Sequence, residues 1–107
     1  KFGIDILLFS GVAGAINENL HIGDLIIATK LCQHDLDITA FGHPYGYVPE
    51  SKVFVETDER LNNIARNVAK KLDKKLLSGI IATGDQFIAN PEKKEWIKNT
   101  FNADALE

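Results

Sequence analysis

The sequence lacks methionine and has a single cysteine, Cys32. One cysteine cannot form an intrachain disulfide, which favours a reducing compartment, and we expect the protein to be cytoplasmic. No apolar stretch approaches the roughly 20 residues that a membrane-spanning helix needs. We therefore expect no membrane partner.

The absence of methionine also bears on whether residues 1–107 form a whole domain. A translated chain starts with methionine, and both ends of this one fall where strands are expected, at Ile4–Phe9 and at Ala103–Glu107. Natural domain boundaries seldom lie within secondary structure. We therefore predict that residues 1–107 are the central portion of a single larger domain whose N- and C-terminal parts are missing.

Basic side chains are too few for a nucleic-acid partner. The chain has 12 lysines and arginines against 15 acidic residues, with a net charge of -3 and a pI near 5.6. Binding to a nucleic-acid duplex needs a basic face, so we expect no nucleic-acid partner. An apolar fraction of 45% is too high for a disordered chain and indicates a folded one.

Apolar runs alternate with helical patterns along the chain. Continuous runs predict buried strands at Ile4–Phe9, Leu25–Thr29 and Leu76–Thr83, and mixed polarity predicts a more exposed strand at Leu31–Ile38. A helix capped by Thr57 is predicted to cover the sheet with an apolar stripe made of Leu61, Ile64, Ala65, Val68 and Leu72. Asn90 is predicted to cap a second helix that has Pro91 at its first position. Alternating strands and helices indicate the α/β class.

Two of the predicted strands end in glycine-bearing turns, Ser10–Gly14 and Thr83–Ile88. Ligands of open α/β sheets bind beyond the carboxyl ends of strands. The first turn lacks the spacing of a dinucleotide-binding or P-loop motif, so a tight turn is an equally good interpretation. In the second turn, Phe87 could stack on a planar base while the backbone at Ile88 binds its edge. On residue type alone, burial of both side chains in the core is the simpler interpretation.

Four polar residues in the middle of the chain raise the question of a metal site: His34, Asp35, Asp37 and His43. Neighbouring strand residues point to opposite faces, and the spacing of a zinc site is absent. We therefore predict no metal and no cofactor. The loop that follows, from Ala40 to Pro49, combines glycines, prolines and aromatics, and its apolar surface predicts a packing partner.

Four motifs in order resemble one family. They are F-S-G-V-A-G-A from Phe9, I-G-D-L-I-I-A from Ile22, H-D-L-D-I-T-A-F-G from His34 and T-G-D-Q-F-I from Thr83. Their order and spacing resemble the 5'-methylthioadenosine/S-adenosylhomocysteine nucleosidases of the purine nucleoside phosphorylase superfamily. This resemblance covers essentially the whole chain.

The resemblance implies a three-layer α/β/α fold with a mixed, barrel-like central sheet, incomplete in this chain. It implies hydrolysis of the N-glycosidic bond of 5'-methylthioadenosine and S-adenosylhomocysteine, with release of adenine and a thioribose, as in methionine salvage. The small-molecule partner would thus be an adenine nucleoside.

The family's substrate-binding positions correspond to Val12, Ala13, Gly14, Phe87 and Ile88. By the resemblance, the first three lie near the sugar and base, Phe87 stacks on adenine, and the Ile88 backbone binds the edge of the base.

Other matching positions imply a homodimer and an incomplete catalytic set. Ile38, Phe41 and Pro49 match positions that reach into the neighbouring subunit's pocket. Glu107 matches the first glutamate of the family's E-M-E motif. The family's catalytic Glu and Asp lie in segments outside residues 1–107, so we expect no catalytic residue in this chain and no activity from it alone.

The choice between hydrolysis and phosphorolysis rests on the first turn. Related hexameric phosphorylases have Arg and Ser where this sequence has Phe9 and Val12. An unpaired phosphate there would suffer a desolvation penalty of several kcal/mol, which favours water as the nucleophile. The alternatives are a nucleoside phosphorylase, an aminofutalosine hydrolase, a non-catalytic nucleoside-binding module, and a flavodoxin-like domain without a nucleoside site.

Overall fold

The computed structural model describes residues 3–49 and 52–107. Within them the chain forms one mixed sheet of five strands, two α-helices and a short 3₁₀ turn. In chain order these are β1 (Gly14–Ala15), β2 (Leu25–Gln33), the 3₁₀ turn (Thr39–Phe41), β3 (Val55–Glu56), α1 (Glu59–Lys71), β4 (Leu76–Thr83), α2 (Pro91–Phe101) and β5 (Ala105–Leu106). The predicted α/β class with a mixed central sheet is confirmed.

The sheet is arranged around two parallel pairings. Its strand order is β1-β5-β4-β2-β3, with β4 parallel to both β2 and β5. The outer pairs, β1 with β5 and β2 with β3, are antiparallel. Parallel strands end at the same edge of a sheet, so the segments that follow β2, β4 and β5 lie on one side of the molecule.

The core lies where α2 packs on the carboxyl halves of these strands. Phe101 and Ile97 of α2 are fully buried against Cys32 of β2, Ala82 of β4 and Leu106 of β5. Tyr45 and Trp96 meet edge to face, with ring centroids 4.8 Å apart.

Part of the glycine-rich loop of residues 40–49 belongs to the same core. Gly46 has a φ of 84°, and a Cβ there would lie 2.7 Å from the Phe101 ring. Only glycine fits this position without displacing the ring. The loop therefore packs on the chain's own core through Tyr45 and Gly46, whereas Phe41 is 80% exposed.

Of the two predicted helix N-caps, one is confirmed and the other is wrong. Asn90 caps α2, with its side-chain oxygen accepting the Glu92 N–H at 2.8 Å. Asp58, rather than Thr57, caps α1 by accepting the Leu61 N–H at 2.9 Å. The Thr57 hydroxyl instead donates to the Ala28 carbonyl and accepts from the Asn62 side chain, each at 2.7 Å.

The apolar stripe of α1 is not the face that the helix buries. Asn62 and Ala69 are its buried residues, whereas Ile64, Val68 and Leu72 are exposed. The periodicity correctly indicated a helix. Only Leu61 and Ala65 of the stripe are half-buried, so the prediction that the whole stripe covers the sheet was wrong.

Two of the strand predictions were also wrong. Ile4–Phe9 forms no strand, and its large apolar side chains are exposed. A strand needs a neighbour for its backbone hydrogen bonds, and no described strand pairs with this segment. Leu25–Thr29 and the beginning of Leu31–Ile38 form one strand, β2, which has a bulge between Ala28 and Lys30 and ends at Gln33.

No described helix is long and apolar enough to cross a membrane.

Replacement of Phe101 by alanine should strongly destabilise the protein. The ring is 2% exposed and lies at the centre of the aromatic cluster. Its removal leaves a cavity, so we expect Phe101→Ala to lower the free energy of unfolding by about 3–5 kcal/mol in a urea titration. The control is Thr100→Ala, at an exposed position of the same helix, which should change it by less than about 0.5 kcal/mol. A loss below about 1 kcal/mol for Phe101→Ala would show that this core is not the stabilising one.

Candidate functional site: a pocket at the carboxyl edge of the sheet

A pocket of about 120 Å³ lies at the carboxyl edge of the parallel strands. It is lined by residues from three separate parts of the sequence: Gly14, Gln86, Phe87, Ile88, Lys94, Leu106 and Glu107. The structure thus brings one residue of the first glycine-bearing turn together with the second turn and the end of β5. A wider depression lies near the other end of β4 among charged residues of the α1 C-terminus, including Lys70 and Lys74.

The second turn presents its aromatic ring outward. Strand β4 ends at Thr83, and Phe87 is 95% exposed at the pocket. Ile88 is half-buried and packs against the core. Burial as a core residue therefore describes Ile88 and does not describe Phe87, whose ring faces are open to a ligand.

The first turn reaches the pocket only through Gly14. Gly14 pairs with Leu106 across β1 and β5, and both residues line the pocket. Val12 is 93% exposed and Ala13 is also exposed, and neither belongs to the lining. No charged side chain lies between Asp5 and Glu18 in the sequence, so the turn itself offers nothing to neutralise an anion.

The three positions assigned by resemblance to a neighbouring subunit lie elsewhere. Ile38 is half-buried and precedes the 3₁₀ turn, whereas Phe41 and Pro49 are exposed. None of them lines the pocket of their own chain. Their contribution to a partner's pocket stays a prediction.

Behind the second turn lie His34 and Asp35, which follow β2. The His34 N–H donates to the Thr83 carbonyl at 2.9 Å, and Asp35 Oδ2 accepts the Asp85 N–H at 2.7 Å. His34 is 0% exposed, and neither ring nitrogen has a hydrogen-bond partner among residues 3–49 and 52–107. Burial lowers the pKa of His34 below its ordinary value, with Lys93 acting in the same direction and Asp35 opposing it. The ring is therefore neutral at pH 7.

The remaining polar residues considered for a metal have other contacts. The carboxylate of Asp37 accepts from the Thr39 hydroxyl at 2.7 Å and its N–H at 2.9 Å, and these bonds lower the pKa of Asp37. His43 stacks on Tyr47, with ring centroids 4.2 Å apart. The part of the chain that the structure describes contains no group of three or more His, Cys, Asp or Glu residues placed to hold a metal.

Cys32 is also accounted for by the core. Burial raises the pKa of its thiol to about 11, so the group is protonated at neutral pH. A protonated, enclosed thiol is a poor nucleophile.

Lys94 and Gln86 are lining residues that the sequence analysis did not assign to the site. Lysines near a helix start look like ordinary solvated residues, and nothing in their type distinguishes Lys94. The available signal was positional. When a helix begins directly after a loop, the first residues of the helix lie beside that loop. Lys94 is the fourth residue of α2, which begins shortly after the loop that contains Phe87.

Comparisons with known proteins show the family to which the chain belongs. The Phosphorylase superfamily matches residues 1–107. An aminodeoxyfutalosine nucleosidase of Campylobacter jejuni is 63% identical over 107 residues, which are 100% of this chain and 47% of that protein. A 5'-methylthioadenosine/S-adenosylhomocysteine nucleosidase of a Geobacillus strain is 37% identical over 102 residues, which are 94% of this chain and 44% of that protein.

Solved structures of nucleosidases have the same fold as this chain. The crystal structure of a Campylobacter jejuni 5'-methylthioadenosine/S-adenosylhomocysteine nucleosidase superposes with a TM-score of 0.94 at 62% identity, covering 99% of this chain and 46% of that one. A Helicobacter pylori nucleosidase variant with 5'-methylthioadenosine in its active site superposes with a TM-score of 0.92 at 47% identity, covering 99% and 46%. The chain spans about half the length of the curated relatives it matches. With a match over its whole length and a shared fold, the chain belongs to the phosphorylase superfamily.

Proposed function

We propose that this chain is the central, base-binding portion of a longer nucleosidase that hydrolyses the N-glycosidic bond of 5'-substituted adenine nucleosides. The observation behind the proposal is the pocket that joins Gly14 to Phe87, Ile88 and Glu107. Gly14 and Phe87, which are more than 70 positions apart, meet there, and Gly14, Phe87 and Ile88 come from two of the motifs on which the family resemblance rests.

The pocket suits a flat, neutral base. The exposed ring of Phe87 offers a stacking surface, and such stacking contributes about 1–3 kcal/mol per base. The backbone at Ile88 lies beside it, where its N–H and C=O groups can bind the edge of adenine. Lys94 and Glu107 line the same pocket with opposite charges, so the site has no net preference for an anion.

Water is the proposed nucleophile. Phe9 is 79% exposed and Val12 is 93% exposed, and both are apolar where a phosphate would need cationic or hydroxyl donors. In the pocket the charge of Lys94 is offset by that of Glu107, so no net positive charge attracts a phosphate. A water molecule meets neither obstacle.

The catalytic pair is proposed to lie outside residues 1–107. Cleavage needs an acid that protonates the leaving base and a carboxylate that activates water. The described pocket contains one carboxylate, that of Glu107, whose family position is next to the residues that hold the ribose. Asp85 uses its backbone N–H to bind Asp35 and does not line the pocket. The chain would thus supply base and ribose contacts, and the flanking segments would supply the chemistry.

A homodimer would complete the 5' side of the site. We propose that Ile38, Phe41 and Pro49 reach a partner's pocket around the 5'-substituent. Supporting this, Phe41 is 80% exposed although the same loop packs inward through Tyr45. An exposed aromatic side chain such as Phe41, next to a loop segment that is packed on the core, is typical of a subunit contact.

Two substrate classes fit this proposal. The resemblance and several relatives' names favour 5'-methylthioadenosine and S-adenosylhomocysteine, which would place the enzyme in methionine salvage. The second candidate is aminodeoxyfutalosine, because relatives with that name are 63% and 48% identical to this chain. Both classes share adenine and differ in the 5'-substituent, so the described pocket would treat them alike.

Adenine release by the full-length protein should be independent of phosphate. We expect it to convert 5'-methylthioadenosine to adenine and free methylthioribose at the same rate with and without inorganic phosphate, as measured by chromatography of both products. The physical reason is that the side chains of Phe9 and Val12 offer a phosphate neither a positive charge nor a hydroxyl group. Parallel assays with S-adenosylhomocysteine and 6-amino-6-deoxyfutalosine rank the substrates by kcat/KM. A rate that rises with phosphate, together with a sugar 1-phosphate product, would instead identify a phosphorylase.

Loss of the Phe87 ring should weaken base binding without harming the fold. We expect Phe87→Ala in the full-length protein to raise the Kd for adenine by about 10- to 100-fold, the equivalent of one lost stacking contact. The melting temperature should stay the same because the side chain is exposed. Phe87→Trp is the matched control, since it keeps an aromatic face and should bind adenine nearly as well. Equal affinity of the alanine variant and the wild type, measured by calorimetry, would remove Phe87 from the site.

The purified 107-residue chain should not hydrolyse nucleosides. It lacks the proposed acid and the proposed water-activating carboxylate, so adenine release from 5'-methylthioadenosine should equal the uncatalysed background in a long incubation. The full-length protein serves as the positive control. Turnover by the short chain would place the catalytic groups within residues 1–107.

A further inference from the structure

The turn that leads to Phe87 and Ile88 is attached to the residues that follow β2. The β2–β4 ladder has Gln33 opposite Thr83 as its last pair, and the His34 N–H extends it by donating to the Thr83 carbonyl. One residue further on, the half-buried Asp35 accepts the Asp85 N–H at 2.7 Å. The two strands therefore stay joined beyond their formal ends.

Gly84 fits closely against both residues. A Cβ at this position would overlap the His34 ring and lie 3.0 Å from Asp35 Oδ2. His34 is completely buried, and its ring nitrogens form no hydrogen bond in the described chain. The ring thus supports the turn by packing, whereas Asp35 supports it with a hydrogen bond.

At its other end the turn is held by Ile88, which packs against the core. Among the residues that the structure describes, the bond to Asp35 is the only hydrogen bond formed by residues 85–88. The Phe87 side chain is almost fully exposed and gives the turn no anchor in the core. The location of the Phe87 ring therefore depends on the contact with residues 34 and 35 before it and on the packing of Ile88 after it.

We propose that Asp35 and His34 are positioning residues for base binding: they fix the turn of residues 84–88 so that Phe87 and the Ile88 backbone face the base. Neither residue lines the pocket, so both act through the turn and not on the ligand. The inference rests on the proposed function, since it concerns the same adenine site.

The test is the affinity of the full-length protein for adenine after removal of the Asp35 carboxylate. Asp35→Ala frees the Asp85 N–H, and we expect the Kd for adenine to rise about tenfold, the typical effect of losing a hydrogen bond to a charged group. The KM for the nucleoside should rise by a similar factor, while kcat at saturation changes less than about threefold, because bound substrate restores the turn. Asp35→Asn should bind like the wild type, since its amide oxygen can accept the same N–H.

Two further variants make the result specific. Asp24→Ala is the matched control, because Asp24 Oδ2 accepts the His21 N–H at 2.8 Å in an exposed turn away from the pocket, and its Kd and KM should stay unchanged. Gly84→Ala perturbs the contact of the turn with His34 and Asp35 by adding a methyl group to the turn itself. It should raise the Kd for adenine at least as much as Asp35→Ala. It also replaces Asp35→Ala as the test if that variant does not fold.

The outcomes separate the two proposals. Wild-type affinity in Asp35→Ala or Gly84→Ala, or a failure of Asp35→Asn to restore binding, overturns the positioning role. A wild-type protein that neither binds adenine nor releases it from nucleosides overturns the proposed function, and this is seen before any variant is made.

Discussion

The parallel pairing of β2 with β4 is the constraint on which the rest of the structure depends. Leu25 to Gln33 are registered against Leu76 to Thr83, and the one irregularity is a bulge between Ala28 and Lys30. The bulge residue Thr29 forms hydrogen bonds through both its side chain and its backbone. Its hydroxyl donates to the Gly79 carbonyl at 3.3 Å, and its own carbonyl accepts the Thr57 N–H at 3.1 Å. The extra residue is accommodated within β2, and the two strands end in step. Without that register, residues 34 and 35 would not meet the turn after β4.

A second constraint is Asp104, which joins three strands into one edge. Its carboxylate accepts from the Ile80 N–H at 2.8 Å and the Asn17 side chain at 2.9 Å, and its carbonyl accepts the Ile16 N–H at 2.9 Å. Gly79 lies so close that a Cβ there would be 2.5 Å from the Asp104 carboxylate. These contacts fix β5 beside β4 and bring the end of the chain, with Glu107, into the pocket. A single carboxylate thereby links the segment that follows β1 to β4.

The sequence predicted the features that depend on local interactions. Leu76–Thr83 was found with its bounds, and so was the start of α2 at Asn90, because an apolar run and a cap are defined by neighbouring residues. Features that depend on distant partners were missed. Asp58 caps α1 in place of Thr57, whose hydroxyl binds a carbonyl 29 positions away and the Asn62 side chain. No local pattern reports the distant contact. The meeting of Phe87 with the first turn could be expected from strand ends, but the place of Lys94 in the same pocket could not.

The failed strand prediction at Ile4–Phe9 and the incomplete first turn have one physical explanation. A strand is defined by its neighbours as much as by its own residues. No strand of residues 3–49 and 52–107 pairs with this segment, and its large apolar side chains are exposed up to Val12. Contiguous apolar surface of this kind marks a place where another part of a protein packs. In the longer nucleosidase that we propose, pairing of this segment would also orient the backbone of Val12 and Ala13, the two substrate positions that lie outside the present pocket. Among the described residues, the pocket at Phe87 is already formed by β1, β5 and the turn after β4. The proposed sugar side would depend on a strand partner outside the described residues.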